Sequence, residues 1–147
     1  MVAKLRSSRS AREVVVALLR AADRVGRNAS GIVEPHGITL QQYNVLRILQ
    51  DSKEDGVPTL EVAAQMIEET PGVTRLLDRL EAKGYVRRQR CPRDRRQHLC
   101  WLTSDGARLL GKLTPLLAAG HERVLEHVDS RTRQQLVSLL DVIGSAR

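Results

Sequence analysis

Five arginines lie within ten residues in the segment RQRCPRDRRQ, residues 88–97, together with one aspartate, one proline and one cysteine. Such a density of like charge has a direct chemical use, because guanidinium groups bind phosphates and form paired hydrogen bonds with base edges. The lone carboxylate, Asp94, could hold one of these arginines in place. We expect it to form a bidentate pair with Arg96 that fixes the geometry of the segment.

The basic excess of the chain is confined to one region. The formal net charge of the 147 residues is +7, and residues 71–100 hold nine basic and three acidic residues, so +6 of that charge lies there. A local excess of this size is typical of a surface that binds a polyanion. The alternative, a solvated run of surface charge, is weakened because the cluster is almost entirely arginine rather than lysine.

A helix is predicted directly before this segment, from Pro71 to Lys83, with Thr70 as its N-cap and Gly84 as its stop. Apolar residues at helical spacing form one face: Val73, Leu76, Leu77 and Leu80. The remaining surface is small, polar and cationic. The candidate contact residues of this helix are Thr70, Pro71, Gly72, Thr74, Arg75, Asp78 and Arg79.

A charged hairpin is predicted next, because YVRRQR and QHLCWLT are both compatible with strands and the proline and aspartate of CPRDRR mark a turn. Two short helices followed by such a hairpin describe a winged helix-turn-helix. Arg75 and Arg79 would then read guanine in the major groove, and the wing would enter a minor groove. The candidate wing residues are Arg88, Arg90, Arg93, Asp94, Arg95 and Arg96.

Helical periodicity dominates the rest of the chain. In the first half of the chain, we predict a helix over residues 11–28 that the segment GIVEPHG ends, and a helix from Thr39 to Gln50 with a Thr39–Gln42 capping box. A short strand at Val57 follows, and then a helix that Thr59 caps and that runs to Ile67, with Leu60, Ala63 and Ile67 inward. After the hairpin, we predict a helix capped by Ser104 and kinked at Pro115, and a last helix that begins at Asp129 and Ser130. The predicted fold class is therefore mainly α with a small β-hairpin wing.

The winged-helix segment resembles a known family. TLEVAAQMIEETPGVTRLLDRLEAKGYVRR followed by CPRDRRQHLCWLTSDG is similar to the core of the MarR (multiple antibiotic resistance regulator) family, including an Asp-Arg-Arg wing and a Leu-Thr-x-x-Gly exit formed by Leu102, Thr103 and Gly106. The resemblance implies a single domain over residues 1–147, with dimerisation helices at about 10–30 and 104–147 around a DNA-binding core at about 38–103. It also implies a homodimer that binds a pseudo-palindromic operator on double-stranded DNA, usually as a repressor. The expected location is the cytoplasm, because two cysteines are too few for a disulfide scaffold and suit a reducing compartment.

Regulation is left more open by the sequence. Members of this family commonly release DNA when a small, often aromatic molecule binds, but three large rings in the whole chain offer little for such a ligand to stack on, and no residues are assigned to it. A redox-responsive regulator that uses Cys91 is an alternative, since flanking arginines would favour its thiolate. In the hairpin, Cys100 lies opposite Arg87 or Arg88, so Cys91 is too far along the strand for an unstrained disulfide.

Other function classes receive less support. An RNA-binding protein would use the same charge, but the predicted recognition helix favours duplex DNA. Cys91 and His98 lack an orienting group or an oxyanion site, so we interpret the chain as a non-enzyme. The four histidines have no compact ligand spacing, and no metal or cofactor is expected. The apolar run from Val14 to Leu19 is too short for a signal peptide or a membrane span.

Overall fold

The computed structural model of the chain describes residues 10–51, 54–67 and 72–145. Its elements in chain order are α1 (Ala11–Val33), α2 (Leu40–Gln50), β1 (Val57–Pro58), α3 (Thr59–Gln65), α4 (Val73–Ala82), β2 (Val86–Arg90), β3 (His98–Leu102), α5 (Ser104–Val124) and α6 (Ser130–Ser145). The predicted fold class, mainly helical with a small β-sheet wing, is confirmed. None of the helices in the described ranges has the length and apolar character needed to cross a membrane.

Helix α1 begins as local chemistry dictates and ends later than predicted. Ser10 and Glu13 form a capping box at its start. The predicted end near Asn28 is wrong, because the helix continues through Gly31 to Val33 and passes into a 3-10 turn at Glu34–His36. Burial explains the extension, since Ala29 and Val33 pack in the core and stabilise a helix that glycine alone would weaken.

Helix α2 lies at the centre of the domain and matches its prediction. The Thr39–Gln42 capping box is present, with reciprocal side-chain to backbone hydrogen bonds of 3.0 and 3.2 Å. Val45, Leu46 and Leu49 are essentially fully buried, so both sides of this helix are covered by neighbours. The short α2 therefore connects helices α3 and α4 to the long helix α5.

Helix α3 buries a different face from the predicted one. Val62 is fully buried, whereas Leu60 and Ile67 are 76% and 77% exposed. Thr59 does not cap the helix, which begins at that residue after Pro58. Its hydroxyl instead donates to the His98 carbonyl at 3.3 Å, because β1 brings this turn against β3. The predicted stripe is therefore wrong at Leu60 and Ile67, whereas Ala63 packs against the core.

The three strands form one antiparallel sheet with the order β1-β3-β2. Cys100 on β3 pairs with Val57 on one side and with Arg88 on the other, so the predicted hairpin and its register are confirmed. Cys100 is fully buried, which fixes the inward face of the hairpin. Since strand residues alternate between faces, the side chain of Arg88 lies on this same inward side.

Helix α5 begins one residue earlier than a Ser104 cap would place it. Thr103 is the N-cap, and its hydroxyl accepts from the Gly106 amide at 3.1 Å and donates to the Gly84 carbonyl at 2.6 Å. The helix then runs without a break through Pro115 to Val124. Through these two hydrogen bonds, Thr103 connects the end of the wing to the turn after α4 and to the start of α5.

We expect Gly106 to be required for this junction. A Cβ atom added there would lie 2.2 Å from the Tyr85 carbonyl oxygen and 2.8 Å from Leu102 Cδ1. Gly106→Ala should lower the free energy of unfolding by about 1–3 kcal/mol through overpacking. Gly111→Ala on the same helix meets nothing within 4 Å, so this control should be neutral or stabilising by up to about 1 kcal/mol. Equal urea midpoints for the two variants at one protein concentration would contradict this packing.

Candidate nucleic-acid interface

Helix α4 presents two faces of opposite character, as predicted. Its four apolar residues are buried: Val73, Leu76, Leu77 and Leu80. Thr74, Arg75, Asp78 and Arg79 are exposed on the other side. The sequence-predicted contact residues that the structure describes therefore lie on a solvent-facing surface and not in the core.

The start of α4 differs from the predicted start. Gly72 is the N-cap and Val73 the first helical residue, two positions after the predicted Pro71. Gly72 has φ +106°, a left-handed conformation that residues with a side chain rarely adopt, which explains why glycine precedes the helix. The predicted roles of Thr70 and Pro71 fall outside the described residues.

The wing is a closed turn between β2 and β3. The Cys91 amide donates to the Gln97 carbonyl at 2.9 Å, and the Gln97 amide donates to the Asp94 carbonyl at 3.0 Å. These bonds shape the turn through the backbone. The predicted wing residues Arg93, Asp94, Arg95 and Arg96 are all exposed on it.

Asp94 shapes the wing in another way than predicted. Its carboxylate accepts the backbone N–H of Arg96 at 3.0 Å, so the predicted bidentate pair with the Arg96 guanidinium is wrong. A side-chain to backbone bond across two residues is the local bond that aspartate forms in turns. The Arg96 guanidinium consequently stays available for a phosphate or a groove.

Arg88 behaves differently from the other predicted wing residues. Its Nε and Nη2 atoms donate to Glu81 Oε2 at 3.0 and 2.8 Å, and Nη2 also contacts the carboxylate of Asp78. Its side chain is 17% exposed, against 54% for Asp78 and 40% for Glu81. Burial disfavours its charge, but hydrogen bonds to Glu81 and then Asp78 outweigh burial and raise the pKa of Arg88.

Arg75 and Arg79 on α4 differ from Arg88 in their lack of a described salt-bridge partner. Within the described ranges, no carboxylate forms a salt bridge with Arg75 or Arg79. The same holds for the described wing arginines Arg90, Arg93, Arg95 and Arg96. Helix α4 and the wing therefore offer a set of guanidinium groups that no described carboxylate binds, and contacts between α4 and β2 make the two elements neighbours.

Two contacts of this region were missed by the sequence reasoning. Glu81 shares the Arg88 guanidinium with Asp78, three residues before it. The i, i+3 spacing places the two carboxylates on one side of α4 but does not indicate their partner on β2. Lys83, the C-cap of α4, donates through Nζ to the Gly37 carbonyl, which ties the end of this helix to the turn before α2. No local pattern indicated that second contact.

The two cysteines are free and lie in different environments. Cys100 is buried against the Thr59 hydroxyl at 3.7 Å, and burial raises the pKa of its thiol. Cys91 is half-buried at the start of the wing turn. In the described part of the chain, no three His, Cys, Asp or Glu side chains gather in a way that could hold a metal ion.

Comparison with protein families gives one match in this region. The model described as MarR family matches residues 36–97. That range covers α2, α3, α4, β2 and the wing turn, which include the elements with the exposed arginines described above, and it ends just before β3.

Individual relatives extend the similarity over the whole chain. The HTH-type transcriptional regulator TtmR of Methylorubrum extorquens (strain PA1) is 32% identical over 135 residues, covering 92% of this chain and 66% of its own length. The homoprotocatechuate degradative operon repressor of Escherichia coli is 27% identical, with 91% of each chain covered. A crystal structure of a MarR transcription factor from Planctomyces limnophilus is 33% identical with a TM-score of 0.72, over 93% of this chain and 99% of that one.

Proposed function

Because the chain belongs to the MarR family of DNA-binding transcription regulators, we propose that it represses transcription as a homodimer on a pseudo-palindromic operator and is released by a small effector. The observation that carries the DNA-binding surface is the pair of neighbouring elements with free arginines, α4 and the wing. Helix α4 is the element suited to the major groove, which admits an α-helix and displays a distinct pattern for each base pair.

Arg75 and Arg79 are the proposed base-reading residues. Both are exposed on α4 and neither forms a salt bridge with a described carboxylate. A free guanidinium can donate two parallel hydrogen bonds to guanine O6 and N7. Thr74, which precedes them on the same exposed side, suits a phosphate or a thymine methyl group.

The wing supplies the sequence-independent part of the proposed binding. Arg93, Arg95 and Arg96 are exposed around a turn whose shape the backbone bonds of Asp94 maintain. Arginine suits the minor groove because its guanidinium is weakly hydrated and the negative potential is focused there. Contacts between these arginines and the DNA phosphates would give a binding affinity that falls steeply as the salt concentration rises.

Two arginine variants test the division of labour. Arg75→Ala should weaken binding to a selected duplex by about 1–3 kcal/mol and relax the preference at one base pair. Arg95→Ala should weaken binding evenly across sequences and reduce the salt slope by about 1. The measurement is fluorescence anisotropy over a salt series with a duplex selected from a random pool, with a scrambled duplex and with a double-stranded RNA of the selected sequence.

Three results of these titrations would count against the proposal. Normal binding by both variants would overturn the groove assignments. Tighter binding to double-stranded RNA than to any DNA duplex would favour the RNA-binding alternative. A uniform loss in Arg75→Ala, with no change in base preference, would remove that residue from base readout.

The proposed dimer rests on apolar surface that the single chain leaves uncovered. Helix α6 has no buried residue over Ser130–Ser145, although Leu139 and Ile143 belong to an apolar stripe along it. Val15 and Leu19 in the first half of α1 are likewise 53% and 65% exposed. A helix without any buried apolar residue needs a partner surface, and a second copy of the same two helices provides one.

Charge introduced into this surface should break the dimer. We expect Leu139→Asp, in the apolar stripe of α6, to shift the protein towards monomers because a carboxylate would lose its hydration in the interface. Gln134→Asp adds the same charge on that helix outside the apolar stripe and should leave the assembly unchanged. Sedimentation velocity over a range of concentrations measures both. A wild-type monomer, or equal behaviour of the two variants, would contradict the proposed interface.

An effector site is proposed in the cavity between the terminal helices and α2. The cavity has a volume of about 910 Å³ and includes Leu18, Val25 and Leu136 in a mostly apolar lining. Arg20 and Arg24 also line it, and neither forms a salt bridge with a described carboxylate. An apolar body with an anionic group is the ligand chemistry that such a lining favours.

An anionic apolar dye, 1-anilinonaphthalene-8-sulfonate, can test this site without knowledge of the natural ligand. We expect the dye to lower the affinity for the selected duplex in the wild type. Gln41→Trp, which fills the cavity from α2, should reduce that effect. Gln50→Trp makes the same substitution at the far end of α2 and should not. Dye inhibition that is absent in the wild type, or equal in the two variants, would rule the cavity out.

A further inference from the structure

The strand register places the side chain of Arg88 between the sheet and helix α4. Arg88 pairs with Cys100, whose side chain is fully buried on the inward face of the hairpin. The guanidinium therefore extends from the sheet towards α4, where Asp78 and Glu81 receive it. The backbone amide of Arg88 also donates to Glu81 Oε1 at 3.2 Å, so strand and side chain are both bonded to the same helix.

Three of the five N–H donors of this guanidinium, the one on Nε and the two on Nη2, are occupied by carboxylates. Nε and Nη2 bind the two carboxylates, and the side chain is 17% exposed. A paired contact with a phosphate or a base edge through Nε or Nη2 would require Arg88 to release a carboxylate. Such a step would leave uncompensated negative charge on the proposed DNA-facing helix, close to negatively charged phosphates.

The two carboxylates pose a problem for DNA binding that Arg88 can solve. Asp78 and Glu81 lie on α4 among the exposed residues of that helix, and like charges in an interface repel. The positive charge of Arg88 offsets these two negative charges, and its hydrogen bonds hold both carboxylates on the side of α4 that faces the sheet. At the same time it joins β2 to α4, the two elements that would enter neighbouring grooves.

We propose that Arg88 is a positioning residue that never contacts DNA: it holds the wing at a fixed angle to α4 and screens Asp78 and Glu81 from the phosphates. This inference rests on the proposed placement of α4 and the wing in DNA grooves. It assigns Arg88 a role distinct from that of Arg93, Arg95 and Arg96. The fixed angle matters because a rigid pair of elements loses less conformational entropy on binding.

A double-mutant cycle separates screening from direct contact. Arg88→Met keeps an unbranched side chain without charge, and it is compared in the wild-type background and in the background Asp78→Asn, Glu81→Gln. We expect Arg88→Met to weaken binding to the selected duplex by roughly tenfold in the wild-type background and by far less in the neutralised background. An equal loss in both backgrounds would mean that Arg88 touches DNA, and it would overturn the proposal.

Lysine at position 88 gives a second, milder comparison. Arg88→Lys keeps the positive charge and could still contact a phosphate, but a single ammonium cannot reproduce the planar fork that binds two carboxylates. We expect Arg88→Lys to lose discrimination between the selected and scrambled duplexes several-fold. Full retention of that discrimination would support a simple phosphate contact and overturn the proposal.

Amide hydrogen exchange in the free protein tests the mechanical part without DNA. In Arg88→Met, amides of β2 and β3 should exchange faster, whereas those of α2 and α5 should keep their wild-type rates. Unchanged exchange in the hairpin would overturn the proposed positioning. If the hairpin loosens but wild-type protein binds no duplex, the DNA-binding function fails while the link between β2 and α4 stands, so the two failures can be told apart.

Discussion

Mutual repulsion among the wing arginines is the constraint on which the proposed DNA-binding surface depends. The fold meets it largely through the backbone, because the Arg96 amide bonds to the Asp94 carboxylate and the Cys91 and Gln97 amides close the turn. The guanidinium groups at the tip need no ion pairs to hold their positions, so they stay available for an external polyanion. β3 adds support from behind, since it is bonded on both edges by β1 and β2.

The wing is stable only because the centre of the domain is complete within one chain. Leu46, Leu77 and Leu110 are fully buried in a core that is almost entirely aliphatic and that connects α2, α4 and α5. The last helix, α6, differs from this core because none of its residues over Ser130–Ser145 is buried within the chain. This division gives physical content to the proposed assembly, in which a self-sufficient DNA-binding core is paired with a second copy through helices that require a partner.

Local signals explain which parts of the fold could be predicted from the sequence. The capping box of α2 and the hairpin register depend on neighbouring residues, and both predictions were confirmed. The end of α1 and the buried face of α3 depend on distant partners, and both predictions failed. The same distinction applies to the site: the exposed face of α4 follows from periodicity, whereas the link between Arg88 and Asp78 joins two elements and could not be read from either alone.

The most direct test of the proposal that α4 binds in the major groove and the wing in the minor groove is footprinting on a duplex selected by the protein. Dimethyl sulfate reports guanine N7 in the major groove and adenine N3 in the minor groove. We expect the bound protein to protect guanines in two half-sites about one helical turn apart, roughly 10 base pairs, and to protect adenines in the adjacent minor grooves. Protection confined to one groove, or without two-fold symmetry, would contradict it.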